Sequence, residues 1–334
     1  MSPVTVLAVG DDLPPDLAGD KRFRVTMIDP FGPRDELPAE LVADAEVLMS
    51  DAAPANIAAM TKLRWLQLGS AGYQQLAGHR LAARDVVVTN ASGVNDIPIA
   101  EWSVLMMMAL ERDLLTLLGD VAARRYRRPA RYQSELRGRR VGIIGYGGIG
   151  RELARQAKAL GLEVWAMNRS PIGPAPQRFT PTGTGDPDGV LPDRTFPKGD
   201  WEAFLPGLDY LVLTVALNAA TSGLIGLGEL ALLPPHAHLL NPARAALVDE
   251  TALRQALASG ALAGAALDSH YREPMPPDDP TWALPRTIVT PHISGSTASP
   301  QYRPRMWELF TANLHRFVAG SPLLNVVPPG DLPD

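Results

Sequence analysis

Three segments in the second half of the chain each place a charged or titratable side chain just beyond an apolar run that is typical of a buried strand. The side chains are Arg244, Glu273 and His292. Ligands bind at the carboxyl ends of the strands in open α/β sheets, so we expect these residues to line a site. An arginine presents a planar fork of donors to a carboxylate, and an imidazole transfers protons near neutral pH. Taken singly, each is more often structural: an ion-paired arginine, a loop glutamate before proline, a loop histidine.

A glycine-rich turn at residues 138–150 is the second chemical signal. An apolar strand leads into Gly145, Gly147 and Gly150, spaced Gly-x-Gly-x-x-Gly, and a helical pattern follows. The first glycine of such a turn permits the tight bend, the second lets the backbone approach a pyrophosphate, and the third lets the helix pack on the strand. The pattern predicts a dinucleotide-binding site; the alternative is a glycine-rich turn without a ligand.

The end of the next strand, residues 163–167, bears on which dinucleotide is bound. Asn168, Arg169 and Ser170 follow it, so no carboxylate is present to bind the ribose hydroxyls of NAD. Arg169 can pair with a 2′-phosphate, to which Asn168 and Ser170 can donate hydrogen bonds. This ending favours NADP(H) over NAD(H). In the alternative, Arg169 is solvated or stacks on the adenine, and NAD(H) fits as well.

The composition is ordinary for a globular protein and leaves room for two domains. The chain has 334 residues, is 46% hydrophobic and carries a formal net charge of −5. That charge gives no general attraction to nucleic acid or to an anionic membrane, so we expect neither as a partner. There is no cysteine, which excludes a cysteine-bound metal, and we expect no metal site. Without a signal-peptide pattern or a membrane-spanning apolar run, we expect a cytoplasmic location.

Strand and helix patterns alternate along the chain, which predicts parallel sheets. The strand patterns cover residues 4–9, 45–49, 63–68, 85–89, 210–215, 238–241, 263–268 and 287–290. Helical patterns cover residues 98–123 and 304–319, and we expect the second to pack back on the N-terminal domain. The predicted fold class is α/β with two doubly wound parallel-sheet domains. Residues 171–200, rich in Pro, Gly, Asp and Thr, are predicted to be an irregular and passive surface insertion outside either core; the alternative is that they cover the adenosine end of the cofactor or an interface.

Together these segments resemble the D-isomer-specific 2-hydroxyacid dehydrogenase family, in particular its glyoxylate and hydroxypyruvate reductases. The resemblance covers residues 63–325 and includes the helix entry at residues 92–101 and the order of the arginine, glutamate and histidine motifs. It implies a flavodoxin-like substrate domain of residues 1–100 and 298–334, and a Rossmann domain of residues 101–297 inserted into it. It also implies a homodimer that transfers hydride between NAD(P) and C2 of a small 2-oxoacid.

The resemblance assigns the catalytic roles to Arg244, Glu273 and His292. Arg244 would bind and polarise the 2-oxoacid, His292 would protonate the developing alkoxide, and Glu273 would orient the His292 ring. Asp268 would bind the nicotinamide carboxamide. The expected substrate contacts are Ser70, Ala71, Gly72, Arg244 and His292. The expected dinucleotide contacts are Tyr146, Gly147, Gly148, Ile149, Asn168, Arg169, Ser170, Thr214, Ala216, Asn241, Pro242, Ala243, Asp268, His292 and Gly295.

Some features depart from the family pattern or leave a choice open. Ala245 stands where the family commonly has glycine, and Pro242 stiffens the approach to Arg244. A basic cluster is predicted to be a solvated dimer arm or, alternatively, to favour an acidic substrate; its members are Arg124, Arg125, Arg127, Arg128 and Arg131, interleaved with Tyr126 and Tyr132. The alternative functions are a dinucleotide-sensing binding protein and a dehydrogenase of an unusual acid such as a phosphonate.

Overall fold

We describe the protein from a computed structural model, which describes residues 2–128, 134–175 and 177–333. The chain forms two compact units, each built from more than one chain segment. The first unit comprises Met1–Asn95, Gln177–Pro181 and Thr297–Asp334, and the second comprises Asp96–Pro176 and Thr182–Ser296.

The first unit contains a parallel sheet of five strands in the order β2-β1-β3-β4-β5. The strands are β1 (Val4–Val9), β2 (Phe23–Ile28), β3 (Val47–Ser50), β4 (Trp65–Leu68) and β5 (Val87–Thr89). This order is that of a flavodoxin-like doubly wound sheet. The sequence patterns did not include β2, an edge strand whose residues are mostly half-buried and so carry a weak apolar signal.

The second unit contains a parallel sheet of seven strands in the order β12-β11-β10-β9-β6-β7-β8. The strands are β6 (Arg140–Ile144), β7 (Glu163–Asn168), β8 (Arg194–Pro197), β9 (Tyr210–Leu213), β10 (His238–Asn241), β11 (Gly264–Leu267) and β12 (Thr287–Val289). Read from β8, this is the Rossmann order with one strand added. The predicted fold class, two doubly wound parallel sheets, is therefore confirmed.

Nine α-helices lie in the described residues. They are α1 (Pro15–Ala18), α2 (Ala39–Val42), α3 (Asp96–Glu111), α4 (Leu114–Ala122), α5 (Gly148–Ala159), α6 (Trp201–Phe204), α7 (Leu227–Leu232), α8 (Glu250–Ser259) and α9 (Tyr302–Val318). The prediction of a single helix over residues 98–123 is wrong in one respect. Asp113 adopts a left-handed φ of 49° and separates α3 from α4.

Helix α9 returns to the first unit and closes its core. The rings of Trp65 on β4 and Phe310 on α9 lie 5.2 Å apart, and Met306 and Trp307 are buried in the same cluster. The burial of these large apolar side chains explains why the C-terminal segment belongs to the N-terminal unit.

Residues 171–200 differ from the sequence prediction in two ways. Residues 194–197 form the edge strand β8, and Phe179 is 6% exposed in the core of the first unit. The N–H of Phe179 donates to Asn325 Oδ1 at 3.1 Å. The segment is therefore not a passive surface loop, because its two phenylalanines, Phe179 and Phe196, are buried even though its composition is mostly polar.

Candidate active site

The glycine turn between β6 and α5 has the close backbone packing that a dinucleotide site requires. Gly145 adopts a φ of 95°, in the region that favours glycine. A Cβ on Gly145 would lie 2.6 Å from a methyl group of Val215, and one on Gly150 would lie 2.3 Å from the Gly145 carbonyl oxygen. No side chain caps the start of α5 after Gly147. The turn therefore fits a pyrophosphate bound by the first N–H groups of α5.

Tyr146, inside the turn, supports residues 171–200. Its side chain is buried, and its hydroxyl donates to Asp186 at 2.8 Å. Burial, together with this hydrogen bond, raises the pKa of Tyr146. A guanidinium nitrogen of Arg151 donates to the Gly173 carbonyl oxygen at 2.8 Å, and another donates to the carbonyl oxygen of Asp186. The glycine turn and α5 thus hold both limbs of this segment.

The end of β7 leaves a cationic side chain available. Asn168 Nδ2 donates to the Ser170 carbonyl oxygen at 2.9 Å, while its Oδ1 accepts from the Tyr146 N–H at 3.3 Å. Arg169 and Ser170 are exposed. Within the described part of the chain, the Arg169 guanidinium has no hydrogen-bond or ion-pair partner. It is therefore free to contact an anionic group.

Thr214 ties the end of β9 to the glycine turn. Its hydroxyl lies 2.6 Å from the Gly145 carbonyl oxygen and 3.1 Å from that of Ile144. Ala216, two residues further on, is exposed, and its carbonyl oxygen accepts from Thr221 Oγ1 at 2.8 Å. Both residues thus lie at the carboxyl edge of the sheet, beside the turn.

The turn after β10 is built around the buried amide of Asn241. Its Nδ2 donates to the Arg244 carbonyl oxygen at 2.8 Å, and its Oδ1 accepts from the Ala243 N–H at 3.1 Å. One guanidinium nitrogen of Arg244 donates to the Ala243 carbonyl oxygen at 2.7 Å. Its other donors have no partner among the residues described, so they are free for an anion. Pro242, between these residues, is buried.

Ala245 is accommodated without backbone strain. It begins a short 3-10 helix, Ala245–Leu247, and it is not among the described residues with a positive φ. The preceding Arg244 has an extended backbone, with φ −144° and ψ 136°. An alanine is therefore acceptable at a position where the family commonly has glycine.

Glu273 and His292 form a hydrogen-bonded pair at the carboxyl edge of the second sheet. Glu273 Oε2 lies 2.9 Å from His292 Nδ1, and Glu273 Oε1 accepts from the His270 N–H at 2.8 Å. Burial raises the pKa of Glu273, but the hydrogen bonds from His292 and His270 outweigh it and leave this pKa below its ordinary value. With Nδ1 directed at Glu273, the Nε2 atom of His292 is available for proton exchange.

Asp268 holds the loop that carries His292. Asp268 is fully buried, and its carboxylate accepts from the N–H groups of Ile293 and Ser294 at 2.9 and 2.8 Å. It also accepts from the Thr290 hydroxyl at 2.5 Å. His292 has a φ of 56°, which is uncommon for a residue other than glycine. Hydrogen bonds on both sides of His292 therefore fix the backbone conformation that presents its ring.

Two residues of this arrangement were not found by sequence reasoning. Trp102 Nε1 donates to Thr290 Oγ1 at 3.1 Å, so the Thr290 hydroxyl links Trp102 to Asp268. The available signal was the position of Thr290 at the end of a predicted strand, two residues before His292. No comparable pattern marks Trp102, which lies 188 residues away along the chain.

In the first unit, the loop after β4 presents unpaired backbone donors. The N–H groups of Ser70, Ala71 and Gly72 have no acceptor among the residues that the structure describes. The Ser70 hydroxyl donates to the Gly72 carbonyl oxygen at 2.8 Å and accepts from Gln75 Nε2 at 2.9 Å. Asn90 Nδ2 donates to the Ala71 carbonyl oxygen at 2.9 Å. These bonds fix the conformation of the loop. Successive free N–H groups of this kind can bind an anion.

Two arginines of the basic cluster pair with an acidic residue on the preceding helix, α4. Arg125 and Arg127 lie 3.3 and 2.6 Å from the carboxylate of Asp120, which is buried. Arg131 and Tyr132 lie outside the described residues. The single negative charge of Asp120 therefore offsets one of the positive charges of the cluster.

Residues 2–128, 134–175 and 177–333 contain neither a cluster of metal-binding side chains nor a helix that could span a membrane. There, no group of three or more histidine or acidic side chains is arranged to hold a metal ion. In the same ranges, no helix combines the length and the apolar character needed to cross a membrane.

Comparison with known proteins places these features in a family. The model of the D-isomer specific 2-hydroxyacid dehydrogenase NAD binding domain matches residues 104–294. A glyoxylate reductase of Korarchaeum cryptofilum is 30% identical over 309 residues, which are 88% of this chain and 86% of that protein. A D-3-phosphoglycerate dehydrogenase of Archaeoglobus fulgidus is 30% identical over 81% of this chain, but the match covers 48% of its own length. This chain thus spans about half of that relative.

A solved structure extends the likeness to the whole chain. The D-isomer specific 2-hydroxyacid dehydrogenase of Xanthobacter autotrophicus Py2, in complex with NADPH and MES, aligns with a TM-score of 0.77 and 25% identity over 99% of each chain. The family model alone matches more than half of the residues. The chain therefore belongs to the D-isomer-specific 2-hydroxyacid dehydrogenase family.

Proposed function

We propose that this protein is an NADPH-preferring reductase of a small 2-oxoacid, with glyoxylate or hydroxypyruvate as its substrate. The observation that carries the proposal is the pair of Glu273 and His292, whose side chains are 2.9 Å apart, with His292 on a loop fixed by the buried Asp268. A histidine oriented in this way is suited to general acid catalysis. The glyoxylate reductase among the relatives supports the substrate class.

The second unit supplies the groups that act on the keto carbon. When bound, the nicotinamide supplies the hydride. Arg244 binds the substrate through its free guanidinium donors and polarises the carbonyl group. His292 Nε2 donates a proton to the carbonyl oxygen, while the hydrogen bond at Nδ1 keeps the ring oriented toward Glu273. In the reverse direction, His292 accepts the proton from the hydroxyl group.

The first unit is proposed as the substrate domain. The free N–H groups of Ser70, Ala71 and Gly72 bind the substrate carboxylate, in keeping with the fixed loop that presents them. The second unit is proposed as the dinucleotide domain. Both oxygens of Asp268 accept hydrogen bonds within the protein, which favours a positioning role for this residue; a contact with the nicotinamide carboxamide stays a prediction.

The preference for NADP(H) rests on the end of β7. Arg169 is exposed, has no partner among the described residues, and is the cation expected to contact a 2′-phosphate. The related structure with bound NADPH supports this choice. Binding of NAD(H) is the alternative, and it requires only that Arg169 stay in solvent or stack on the adenine.

A homodimer is proposed from an exposed apolar face on α3 and α4. The exposed side chains on this face are Leu105, Met108, Leu114, Leu115, Leu118 and Val121. Residues 114, 118 and 121 recur at helical spacing, so they lie on one side of α4. Exposed apolar side chains grouped on one side of a helix in this way favour a protein–protein interface. A second copy of this chain is the proposed partner.

Oxidation of NADPH, followed by absorbance with a panel of 2-oxoacids and with NADH in parallel, tests the proposal. We expect turnover of glyoxylate or hydroxypyruvate, fastest with NADPH. Arg244→Ala should lower kcat/KM by about a hundredfold or more, because it removes a bidentate charged contact to the reacting group. Arg34→Ala, an exposed arginine without a partner among the described residues, is the matched control and should leave kcat/KM unchanged.

The panel also separates the competing functions. Binding of NADPH without reduction of any 2-oxoacid would contradict the proposal and favour a dinucleotide-sensing protein or a dehydrogenase of an unusual acid. Equal kcat/KM values with NADH and NADPH would contradict only the preference for NADPH.

A further inference from the structure

Asp51 lies beside Gly69, the residue that immediately precedes the three free N–H groups to which the proposed function assigns the substrate carboxylate. Strands β3 and β4 are parallel neighbours, with Ser50 opposite Leu68, so Asp51 and Gly69 leave the sheet side by side. A Cβ on Gly69 would lie 2.1 Å from Asp51 Oδ1. The Asp51 carboxylate is therefore packed against the backbone one residue before Ser70.

The position of Asp51 relative to this loop is held by a shared donor. Gln75 Nε2 lies 3.1 Å from the Asp51 carbonyl oxygen and 2.9 Å from the Ser70 hydroxyl oxygen. It also lies 3.3 Å from the Gly72 carbonyl oxygen. One side chain thus connects the backbone at the end of β3 with the loop after β4, and it fixes the backbone of Asp51 relative to that loop.

No cation neutralises Asp51 among the residues described. Its carboxylate makes no hydrogen bond or ion pair there, and Arg303 lies 3.7 Å from Asp11 instead. The Tyr302 hydroxyl is also close to the position that a Cβ on Gly69 would occupy. It donates its hydrogen bond to the Gly69 carbonyl oxygen, at 2.5 Å, and not to Asp51. Asp51 is exposed to solvent, although neighbouring protein atoms remove part of its hydration and raise its pKa.

We propose that Asp51 determines which 2-oxoacids are accepted, by favouring a hydrogen-bond donor on C3 and disfavouring a second anionic group. The inference rests on the proposed function. With the substrate carboxylate on the free N–H groups, a C3 hydroxyl gains a charge-assisted hydrogen bond to Asp51. A second carboxylate or a phosphate at that place is repelled, because no cation offsets the aspartate charge.

Two arginines of the basic cluster are engaged by an acidic side chain near them in sequence. Arg125 and Arg127 are paired with Asp120 in the second unit. The substrate class assigned by Asp51 is therefore a monoanionic 2-oxoacid with a 3-hydroxyl group, as in hydroxypyruvate.

Comparison of four 2-oxoacids in wild type and Asp51→Asn tests the inference. Glyoxylate has no C3, pyruvate has a methyl group there, hydroxypyruvate has a hydroxyl group, and oxaloacetate has a second carboxylate. We expect wild-type kcat/KM to favour hydroxypyruvate over pyruvate by about tenfold, the value of one charge-assisted hydrogen bond. Asp51→Asn should remove most of that preference and raise kcat/KM for oxaloacetate about tenfold. Glyoxylate turnover should change by less than about twofold, because no C3 group meets residue 51.

Asp44→Asn is the matched control, since Asp44 precedes the same strand and forms an exposed ion pair with Lys62 at 2.6 Å. It makes the same change in net charge and should leave all four kcat/KM values unchanged. Asp51→Ala is a second variant that removes the carboxylate without leaving an amide. Thermal unfolding of each variant tests whether the fold is kept.

The two proposals fail in different ways. Equal changes for all four acids in Asp51→Asn and Asp51→Ala, including glyoxylate, would overturn the role of Asp51 and leave the proposed function intact. An unchanged preference for hydroxypyruvate over pyruvate would do the same. If wild type reduces none of the four acids, both the proposed function and the inference are wrong.

Discussion

At the scale of single residues, two carboxylates of the second unit hold His292 in place. Glu273 holds Nδ1, and Asp268 holds the backbone through Ile293 and Ser294. Because the loop carries a left-handed φ at His292, these bonds offset a conformation that costs free energy. The imidazole is thus placed before any ligand arrives.

Glu273→Gln tests the positioning role at this scale. The substitution keeps the shape of the side chain but removes the negative charge that stabilises a protonated His292. Reduction needs that proton, so we expect the alkaline limb of the kcat profile to move to lower pH, and kcat above neutral pH to fall about tenfold or more. KM for glyoxylate should change little, because Glu273 is not expected to contact the substrate.

A pH series of steady-state rates is the measurement, and Glu202→Gln, an exposed glutamate on α6, is the control. A uniform loss of kcat at every pH, without a shift of the alkaline limb, would contradict the positioning role.

At the scale of elements, strand β10 begins with a half-buried titratable residue, His238. The ring of His238 stacks on that of Tyr210 at 5.7 Å, and burial lowers the pKa of His238 to about 4. The ordinary histidine value is 6.5. The folded state therefore binds this proton less readily than the unfolded state, and the unfolded state is favoured when pH falls from about 6.5 to about 4. Above that window, His238 is neutral in both states and contributes no pH dependence.

We expect the free energy of unfolding to decrease through that window by up to about 1.4 kcal/mol per pH unit from His238. His238→Gln should flatten this part of the profile. Urea unfolding at a series of pH values measures it, with His79→Gln in the first unit as the control. The same slope in wild type and His238→Gln would show that other groups cause the acid sensitivity.

At the scale of the whole molecule, each unit is completed by distant chain segments. The first unit takes α9 from the C-terminal part of the chain and residues 177–181 from the middle of the second unit's sequence. The second unit contributes the exposed apolar face on α3 and α4 to a proposed homodimer. Completion of the first unit and the proposed dimer therefore both depend on helices and segments outside the two sheets.

Leu118→Glu tests the proposed dimer, because Leu118 lies on this face and is 56% exposed. A charge placed in an apolar interface must be desolvated, so we expect weaker association and a shift from dimer to monomer at micromolar concentration. Light scattering after size-exclusion chromatography measures the mass. Leu227→Glu, on α7, changes an equally exposed leucine and should leave the mass unchanged. A dimer that persists in Leu118→Glu would place the interface elsewhere.

Much of the fold was predictable from local sequence because its signals are local. The apolar runs of β1, β6 and β10 and the glycine spacing at Gly145 and Gly150 each depend on a few consecutive residues. The order of the arginine, glutamate and histidine motifs indicated the family, and the comparisons confirm it. The assignment of individual residues to substrate or dinucleotide stays a prediction, since no ligand contact bears on it.

Only the tertiary structure showed which distant side chains meet. Trp102, Thr290 and Asp268 are linked by hydrogen bonds across β11, β12 and α3, and no sequence spacing indicates that link. Phe179 lies in a segment whose composition is mostly polar, and only the tertiary structure shows that its side chain is buried in the first unit's core. Asp51 was unremarkable in sequence, and its proximity to Gly69 follows from the pairing of β3 with β4. Local sequence determines which strands and turns form, whereas burial and strand pairing decide which of their ends share a site.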